Sequence, residues 1–308
     1  MCGIVGFTGR ENALPILIKG LYSLEYRGYD SAGIAAFTRD GLRVVKTQGR
    51  ISNLEEKIQE EGGLDCTCGI GHTRWATHGE PSDRNSHPHL GGRDGKGKVA
   101  VVHNGIIENY KDLRESLEAH GYTFQSETDT ETVAHLVDYL HTGKQEDLAQ
   151  TVLSAVQRIR GSYALGVVSM DNPEEIVAAR RDNPLVIGIG EGENMIASDI
   201  TAIISRTKKY IILDDNEVAI VRPDSVVVMN EFGDVVEKAV QTVNWDLSAA
   251  EKGGYQHFML KEIMEQPKAV ADTVKPRIQN NAVCFEDNGL TDDRLREIEN
   301  IHIVGCGS

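Results

Sequence analysis

The chain has 308 residues, 40% of them hydrophobic and 26% charged, which is the composition of a folded globular protein long enough for about two domains. Its formal net charge is −15, from 47 acidic and 32 basic residues. That balance argues against a nucleic-acid or anionic-membrane partner, either of which calls for a basic face.

The apolar run Ile4 to Phe7 predicts a strand almost at the terminus. Glu11 to Tyr26 carries Leu14, Leu17, Ile18, Leu21 and Leu24 at helical spacing. Ser31 to Phe37 and Leu42 to Thr47 read as a strand pair about the turn Arg39-Asp40-Gly41. Ser52 to Gln59 reads as a helix capped by Ser52, with Glu55 three residues on. Cys68 to Thr73 and Val99 to His103 read as strands, with the Gly-, His-, Asn- and Pro-rich segment between them as loop. Tyr110 to His120, Thr130 to Leu140 and Glu146 to Ile159 read as amphipathic helices. Short apolar runs then recur at Tyr163–Ser169, Glu175–Ala179, Leu185–Ile189, Tyr210–Leu213, Val218–Val221 and Val226–Met229, parted by turn signals such as Asp182-Asn183-Pro184. Strands and helices come in blocks, which predicts a layered α+β sandwich rather than a doubly wound parallel sheet.

The pattern changes after Val240. Residues 2–240 are expected to form one domain and the polar Gln241 to Gly254 a linker. Tyr255 to Val274 reads as a helix. The sequence ends on an apolar run into Gly305-Cys306-Gly307-Ser308, as a phosphate-binding βα unit begins. Residues 255–308 are therefore expected to be the truncated start of a second domain. Five cysteines, Cys2, Cys66, Cys68, Cys284 and Cys306, show no disulfide spacing and fit a reducing cytoplasm. No run approaches the roughly 20 apolar residues of a membrane span, and no signal peptide is expected.

Removal of Met1 would leave a thiol and a free α-amine on Cys2. The free thiol has a pKa of about 8.5 and the amine one of about 7.7 to 8.0, so the amine can take the thiol proton. Taken alone, Cys2 reads as an incidental residue on a ragged end. Three polar clusters reverse that preference. In Gly71-His72-Thr73-Arg74-Trp75-Ala76-Thr77-His78-Gly79 a strand runs into a loop, and Arg74 offers a fork suited to a carboxylate. In His103-Asn104-Gly105-Ile106-Ile107-Glu108-Asn109 a strand delivers Asn104 and Gly105 to a turn, where an amide side chain and a glycine N–H suit an oxyanion. In Ser126-Glu127-Thr128-Asp129-Thr130-Glu131 the carboxylate of Asp129 suits an ammonium, although Ser, Thr and Asp ahead of a helix are also ordinary caps. A nucleophile, a terminal base, an oxyanion hole and clamps for a carboxylate and an ammonium are the parts needed to attack the side-chain amide of a free amino acid.

These motifs, with Met1-Cys2-Gly3-Ile4-Val5-Gly6 ahead of them, resemble the class II glutamine amidotransferases in order and spacing. Leu24-Glu25-Tyr26-Arg27-Gly28-Tyr29-Asp30-Ser31-Ala32-Gly33, Ser126 to Glu131 and Lys261-Glu262-Ile263-Met264-Glu265-Gln266-Pro267 are most similar to the isomerising glutamine–fructose-6-phosphate aminotransferase branch. The resemblance implies a four-layer αββα fold of the N-terminal-nucleophile hydrolase type, followed by a truncated sugar-isomerase segment. It implies that Cys2 attacks the amide of L-glutamine with its own amine as base, and that Asn104 and the Gly105 N–H hold the oxyanion. Arg74 would bind the α-carboxylate and Asp129 the α-ammonium. Thr77, His78 and His87 would line the pocket, and Trp75 would gate ammonia. It further implies fructose 6-phosphate as acceptor in the longer protein only, a homodimer formed mainly through further domains, and glutaminase activity without glucosamine 6-phosphate from this chain alone.

No cofactor or metal is expected. Gly92 to Val99 lacks the Ser or Thr that a phosphate loop needs for Mg²⁺. The Cys66/Cys68 and His87/His89 pairs lack partners at zinc spacing, and Gly188 to Gly192 lacks the dinucleotide fingerprint. The competing functions are a class II amidotransferase serving another acceptor, a terminal-nucleophile amidase for a different amide, and a non-catalytic glutamine-binding module.

Overall fold

The computed structural model describes residues 2–76, 79–93, 97–141, 147–244, 254–255, 258–279, 282–283 and 292–302. The chain divides into two compact units, 1–244 and 245–308.

In chain order, the first unit runs β1 (Gly3–Gly9), α1 (Ala13–Leu24), β2 (Ser31–Thr38), β3 (Gly41–Gln48), α2 (Ile51–Glu60), β4 (Cys68–Arg74), β5 (His89–Leu90) and β6 (Val99–Ile107). It continues with α3 (Tyr110–Ala119), α4 (Asp129–Leu140), α5 (Leu148–Val156), β7 (Gly161–Ser169), β8 (Asn172–Arg181), β9 (Val186–Ile189) and β10 (Glu193–Ala197). Then follow β11 (Lys209–Ile212), β12 (Val218–Arg222), β13 (Ser225–Met229), β14 (Val235–Val236) and β15 (Gln241–Thr242).

Among the described residues these strands make two sheets. One has the order β15-β11-β9-β10-β1-β4-β2-β3 and the other β14-β13-β12-β8-β7-β6-β5. Every named pairing within them is antiparallel. The fold is therefore mixed α and β with two antiparallel sheets.

Strand alternation sorts the side chains into three cores. In β1, Ile4 joins Ala35, Cys68 and Ile70 from its own sheet and Ala100, Val102 and Ala164 from the other, so this face packs sheet on sheet. Val5 and Phe7 point the opposite way, onto Leu17 and Leu21 of α1 and Leu54 of α2. Val99, Val101 and Val167 of the second sheet face Val133 and Val137 of α4 and Val152 of α5. With both faces covered, β1 is buried along its whole length, which is why it reads as a near-continuous apolar run.

Some sequence expectations shift. Asn12, not a residue within the helix, caps α1, accepting from the Leu14 N–H at 3.0 Å. The helix expected at Ser52 begins at Ile51 behind Arg50 with no side-chain cap, so Ser52 lies inside the first turn, and Glu55 accepts from the Tyr22 hydroxyl instead. The second-sheet strand does not stop at His103. It runs on through Asn104 and Gly105 to Ile107, paired with Tyr163 and its neighbours, so these two residues sit in a strand rather than a turn. Within the segment expected as a linker, Gln241 and Thr242 pair with Tyr210 and Lys209, and most of the rest lies outside the described residues.

The second unit holds α6 (Phe258–Val274), a short hairpin of β16 (Ile278–Gln279) and β17 (Ala282–Val283), and α7 (Asp292–Glu297). Among the described residues no helix is long and apolar enough to cross a membrane.

Leu21 is fully buried between α1 and the first sheet. Leu21→Ala is expected to cost ~2–5 kcal/mol. Urea unfolding checks this, and a loss of only a few tenths would mean that α1 is not packed as described.

Candidate active site

The same alternation brings the sequence-singled residues to one end of the sandwich. On β4, Cys68 and Ile70 face the core between the sheets, so His72 and Arg74, two and four residues further on, continue that face. On β6, Ala100 and Val102 face the same core, and Asn104 follows them. On β1, Ile4 faces it too, and Cys2 stands two residues earlier. At this end of the core the apolar side chains give way to a thiol, an imidazole, a guanidinium and an amide.

The register fixes their spacing. Gly3 pairs with Thr73, which sets Cys2 against the peptide at the end of β4. The Trp75 N–H donates to Cys2 Sγ at 3.3 Å, and Sγ lies 3.6 Å from the Trp75 carbonyl. Asn104 Nδ2 donates to the Cys2 carbonyl at 3.1 Å, bridging the two sheets. Behind Asn104, its Oδ1 and the His103 carbonyl each lie 3.0 Å from His72 Nε2.

Gly105 has φ +132°, and a Cβ there would stand 2.1 Å from the Ser162 carbonyl oxygen. Both the conformation and the space require glycine. Gly28 is needed for a different reason, since a Cβ would come within 2.8–3.0 Å of the Arg74–Trp75 peptide that supports the thiol.

Arg74 is buried and donates through Nη2 to the Gly79 carbonyl at 2.9 Å. Asp129, the first residue of α4, is buried and accepts the Ile107 N–H at 2.9 Å. It is not the cap. Thr128 caps α4, and the Glu131 carboxylate reaches back to the N–H groups of Gln125 and Ser126 at 2.8 and 2.6 Å. Asp129 is thus released from helix capping.

Trp75 is 47% exposed, with its ring edge-on to Tyr29 at 5.4 Å. His87 is buried and stacks on His72 with ring centroids 4.2 Å apart. Thr77 and His78 lie outside the described residues.

Two contributors were not singled out from the sequence. Asp30 braces the strand end: its N–H donates to the Arg74 carbonyl at 3.1 Å and its carboxylate accepts the Ala76 N–H. His72 lay inside a motif but had no assigned part. Both depend on which residue faces which across paired strands. Only the pattern Cys68, Ile70, His72, Arg74 on one strand face hints at the second.

Burial pushes the Cys2 thiol up, opposed by the Trp75 N–H and the Arg74 charge. Burial pushes His72 down to about 3, although its hydrogen bonds with Asn104 and His103 pull upward. His87 and His89 are also driven well below the usual histidine range by burial and neighbouring positive groups, and burial lowers His103 despite Asp129. Near neutral pH the thiol is therefore protonated and these imidazoles are neutral. Among the described residues the hydrogen bonds of the sulfur run only to the Trp75 peptide. No group of three or more His, Cys, Asp or Glu among them is arranged to hold a metal ion, and Cys2, Cys66 and Cys68 are free thiols.

The profile of the glutamine amidotransferase domain matches residues 72–205, from the end of β4 through β10, with β6 and α4 inside the match. Over these residues the chain is similar to the glutamine amidotransferase domain. Glutamine–fructose-6-phosphate aminotransferases [isomerizing] from Caldanaerobacter subterraneus subsp. tengcongensis and Clostridium tetani are 52% and 50% identical to it over 309 residues. Both matches cover 100% of this chain and 50% of the relative, so the chain spans about half the length of these curated relatives. Among solved structures, the glutamine phosphoribosylpyrophosphate amidotransferase from B. subtilis is similar at 28% identity and a TM-score of 0.62. That match covers 76% of this chain and 50% of the other.

The neutral histidines of this site have a consequence for stability. Their folded pKa values lie below the unfolded value of about 6.5, so the unfolded chain binds protons first as pH falls. Stability present above about pH 6.5 is expected to drop as pH is lowered toward 3, by up to ~1.4 kcal/mol per pH unit for each such ring. Urea unfolding at about pH 7.5, 6.5 and 5.5 measures this, and no change below about pH 6.5 would mean that the folded rings take up protons freely.

Proposed function

We propose that this chain hydrolyses the side-chain amide of L-glutamine to glutamate and ammonia, with Cys2 as nucleophile after removal of Met1. The observation that carries the reading is the meeting of the Cys2 thiol, the Trp75 peptide and the Asn104 amide at the end of a fixed strand. The frame around them, two face-to-face sheets with helices outside, supports a four-layer αββα fold of the N-terminal-nucleophile hydrolase type.

A raised thiol needs a base at the moment of attack. The neutral His72 is a poor one, since a group titrating near 3 holds a proton weakly. A free α-amine ordinarily titrates at about 7.7 to 8.0, and that of a terminal Cys2 is carried on the same residue. It takes the thiol proton, and the thiolate adds to the amide carbon. The amide oxygen becomes an oxyanion held by Asn104 and the Gly105 N–H. The ammonium then returns the proton to the leaving nitrogen, releasing ammonia and leaving a thioester. Water, activated by the same amine, hydrolyses the thioester to glutamate and restores the thiol.

Arg74 binds the α-carboxylate as a fixed cation. Asp129, with one carboxylate oxygen on Ile107, offers the other to the α-ammonium. Trp75, half-exposed with its backbone N–H on the thiol, gates ammonia leaving the glutamine pocket. His87 backs that pocket through His72.

The relatives' name supports fructose 6-phosphate as acceptor in a longer protein; we read that protein as a cytoplasmic homodimer that makes glucosamine 6-phosphate. Residues 255–308 would open the first sugar-isomerase domain. The likeness to a phosphoribosylpyrophosphate amidotransferase keeps another acceptor as the second reading, less favoured at 28% identity than at 52%.

Glutamate release from glutamine tests the reading, using a chain whose first residue is shown by intact mass to be Cys2. Release is expected to fall to background in Cys2→Ala. It is expected to fall equally when a residue remains in front of Cys2, with the unfolding midpoint unchanged, because an amide nitrogen accepts no proton. Full activity with a verified extension would exclude the terminal amine as base.

Asp129→Asn keeps an acceptor for the Ile107 N–H but removes the charge. A hydrogen bond to a charged group contributes ~1.5–3 kcal/mol, so KM for glutamine should rise on the order of 10- to 100-fold. Steady-state kinetics reads this directly, and an unchanged KM would take the ammonium away from Asp129.

A further inference from the structure

We propose that His72 is a positioning residue that locks the amide of Asn104, holding Oδ1 inward and turning Nδ2 toward Cys2. This rests on the oxyanion assignment of Asn104 made above.

An amide side chain can be placed two ways with almost the same shape, so something must choose between oxygen and nitrogen. Here the choice is forced by a third group. His72 Nε2 is 3.0 Å from the His103 carbonyl oxygen, which can only accept. Nε2 therefore carries the proton. The Asn104 atom that also lies 3.0 Å from Nε2 must then be the acceptor Oδ1. That leaves Nδ2 for the Cys2 carbonyl, at 3.1 Å. The reversed amide would set N–H against N–H at His72 and oxygen against oxygen at Cys2, losing both bonds inside a buried space.

The ring itself is held. His72 is fully buried and stacks on His87, and His87 in turn packs edge-on to His89 with ring centroids 5.0 Å apart. His72 Nδ1 is buried and has no hydrogen-bond partner among the described residues. A second proton on that atom would find no acceptor among them, which favours a neutral ring with its single proton on Nε2. Burial acts in the same direction. His72 thus works as a fixed donor, not as an acid or base. A neutral ring also leaves the oxyanion to the Asn104 and Gly105 donors, without a competing charge behind them.

The test uses the chain processed to Cys2, with kcat and KM for glutamate release measured separately. Asn104→Ala should lower kcat by on the order of 100- to 1000-fold, the usual loss of one oxyanion donor. His72→Asn places its amide near the former Nδ1 and leaves the Nε2 position empty. It should lower kcat by on the order of tenfold or more with KM changed little. His72→Gln reaches the Nε2 position with an N–H and should recover most of that loss. In the Asn104→Ala background, His72→Asn should cost nothing further, because the group it orients is gone.

Equal losses from His72→Asn with and without Asn104 would overturn the proposal, as would a Gln variant no better than Asn. If Asn104→Ala leaves kcat unchanged, the oxyanion assignment fails by itself, since that variant keeps His72 intact, and the proposal falls with it. A variant-free reading comes from nitrogen NMR of the wild-type chain with labelled histidine. His72 should be neutral and protonated on Nε2 from about pH 8 to 5, and an Nδ1-protonated ring or an imidazolium would overturn the assignment even if a variant failed to fold.

Discussion

A chain terminus normally frays, and a nucleophile placed there would wander by ångströms. This structure prevents that by making the terminus an interior strand. β1 is hydrogen-bonded on one side to β10 and on the other to β4, and it is buried on both faces. Gly3 enters that ladder one residue after Cys2, so the thiol inherits the rigidity of the first sheet. The glycine is needed there too: a Cβ on it would stand 2.7 Å from Leu24 and from the Thr73 hydroxyl. Everything else at the site is measured from this anchored end.

The second constraint is that the site draws on both sheets. Cys2, His72 and Arg74 come from the first, and Asn104 and Gly105 from the second. Their relative position is set by the apolar layer between the sheets, where Ile4, Ile70 and Val102 interdigitate. The bond from Asn104 Nδ2 to the Cys2 carbonyl, with those of His72 Nε2 to the His103 carbonyl and Asn104 Oδ1, ties the sheets together at the open end. Core packing and site geometry are one problem here. A void between Ile70 and Val102 would be felt as a loss of alignment at the thiol as well as a loss of stability.

The chemistry was more legible in the sequence than the topology. Cys2, Arg74, Asn104, Gly105 and Asp129 stand out as candidates because a thiol at position 2, polar residues after apolar strand runs and a carboxylate ahead of a helix break the apolar pattern. The long amphipathic helices and the β2–β3 hairpin are also plain, since local periodicity decides them. What escaped depends on non-local pairing. β10 follows a turn and carries polar Glu193 and Asn194 at its start, and β5, β14 and β15 are two-residue strands that exist only through their neighbours. Asn104-Gly105 looks like a turn because Asn-Gly is a turn signal. In the structure that glycine adopts positive φ while remaining paired with Tyr163, a local oddity that the strand context overrides. Asp30 was invisible as a brace because its partners, the Arg74 carbonyl and the Ala76 N–H, are backbone atoms more than forty residues away.

The electrostatics of the site follow from its dryness. Desolvation holds the half-buried Cys2 thiol back from ionising, and buried imidazoles resist protonation, so the two trends together remove the usual cysteine–histidine ion pair. With Arg74 as a permanent cation and the imidazole behind Asn104 already committed as a donor, the site has few mobile protons of its own. In the proposed reading, the free amine of a terminal cysteine supplies the proton acceptor, and it does so without adding a side chain to a crowded pocket. The dry core that anchors β1 and the need for a base on the nucleophile itself are then two consequences of one arrangement. A wetter site would ionise the thiol more easily, but its strand would fray and its oxyanion donors would be screened by water.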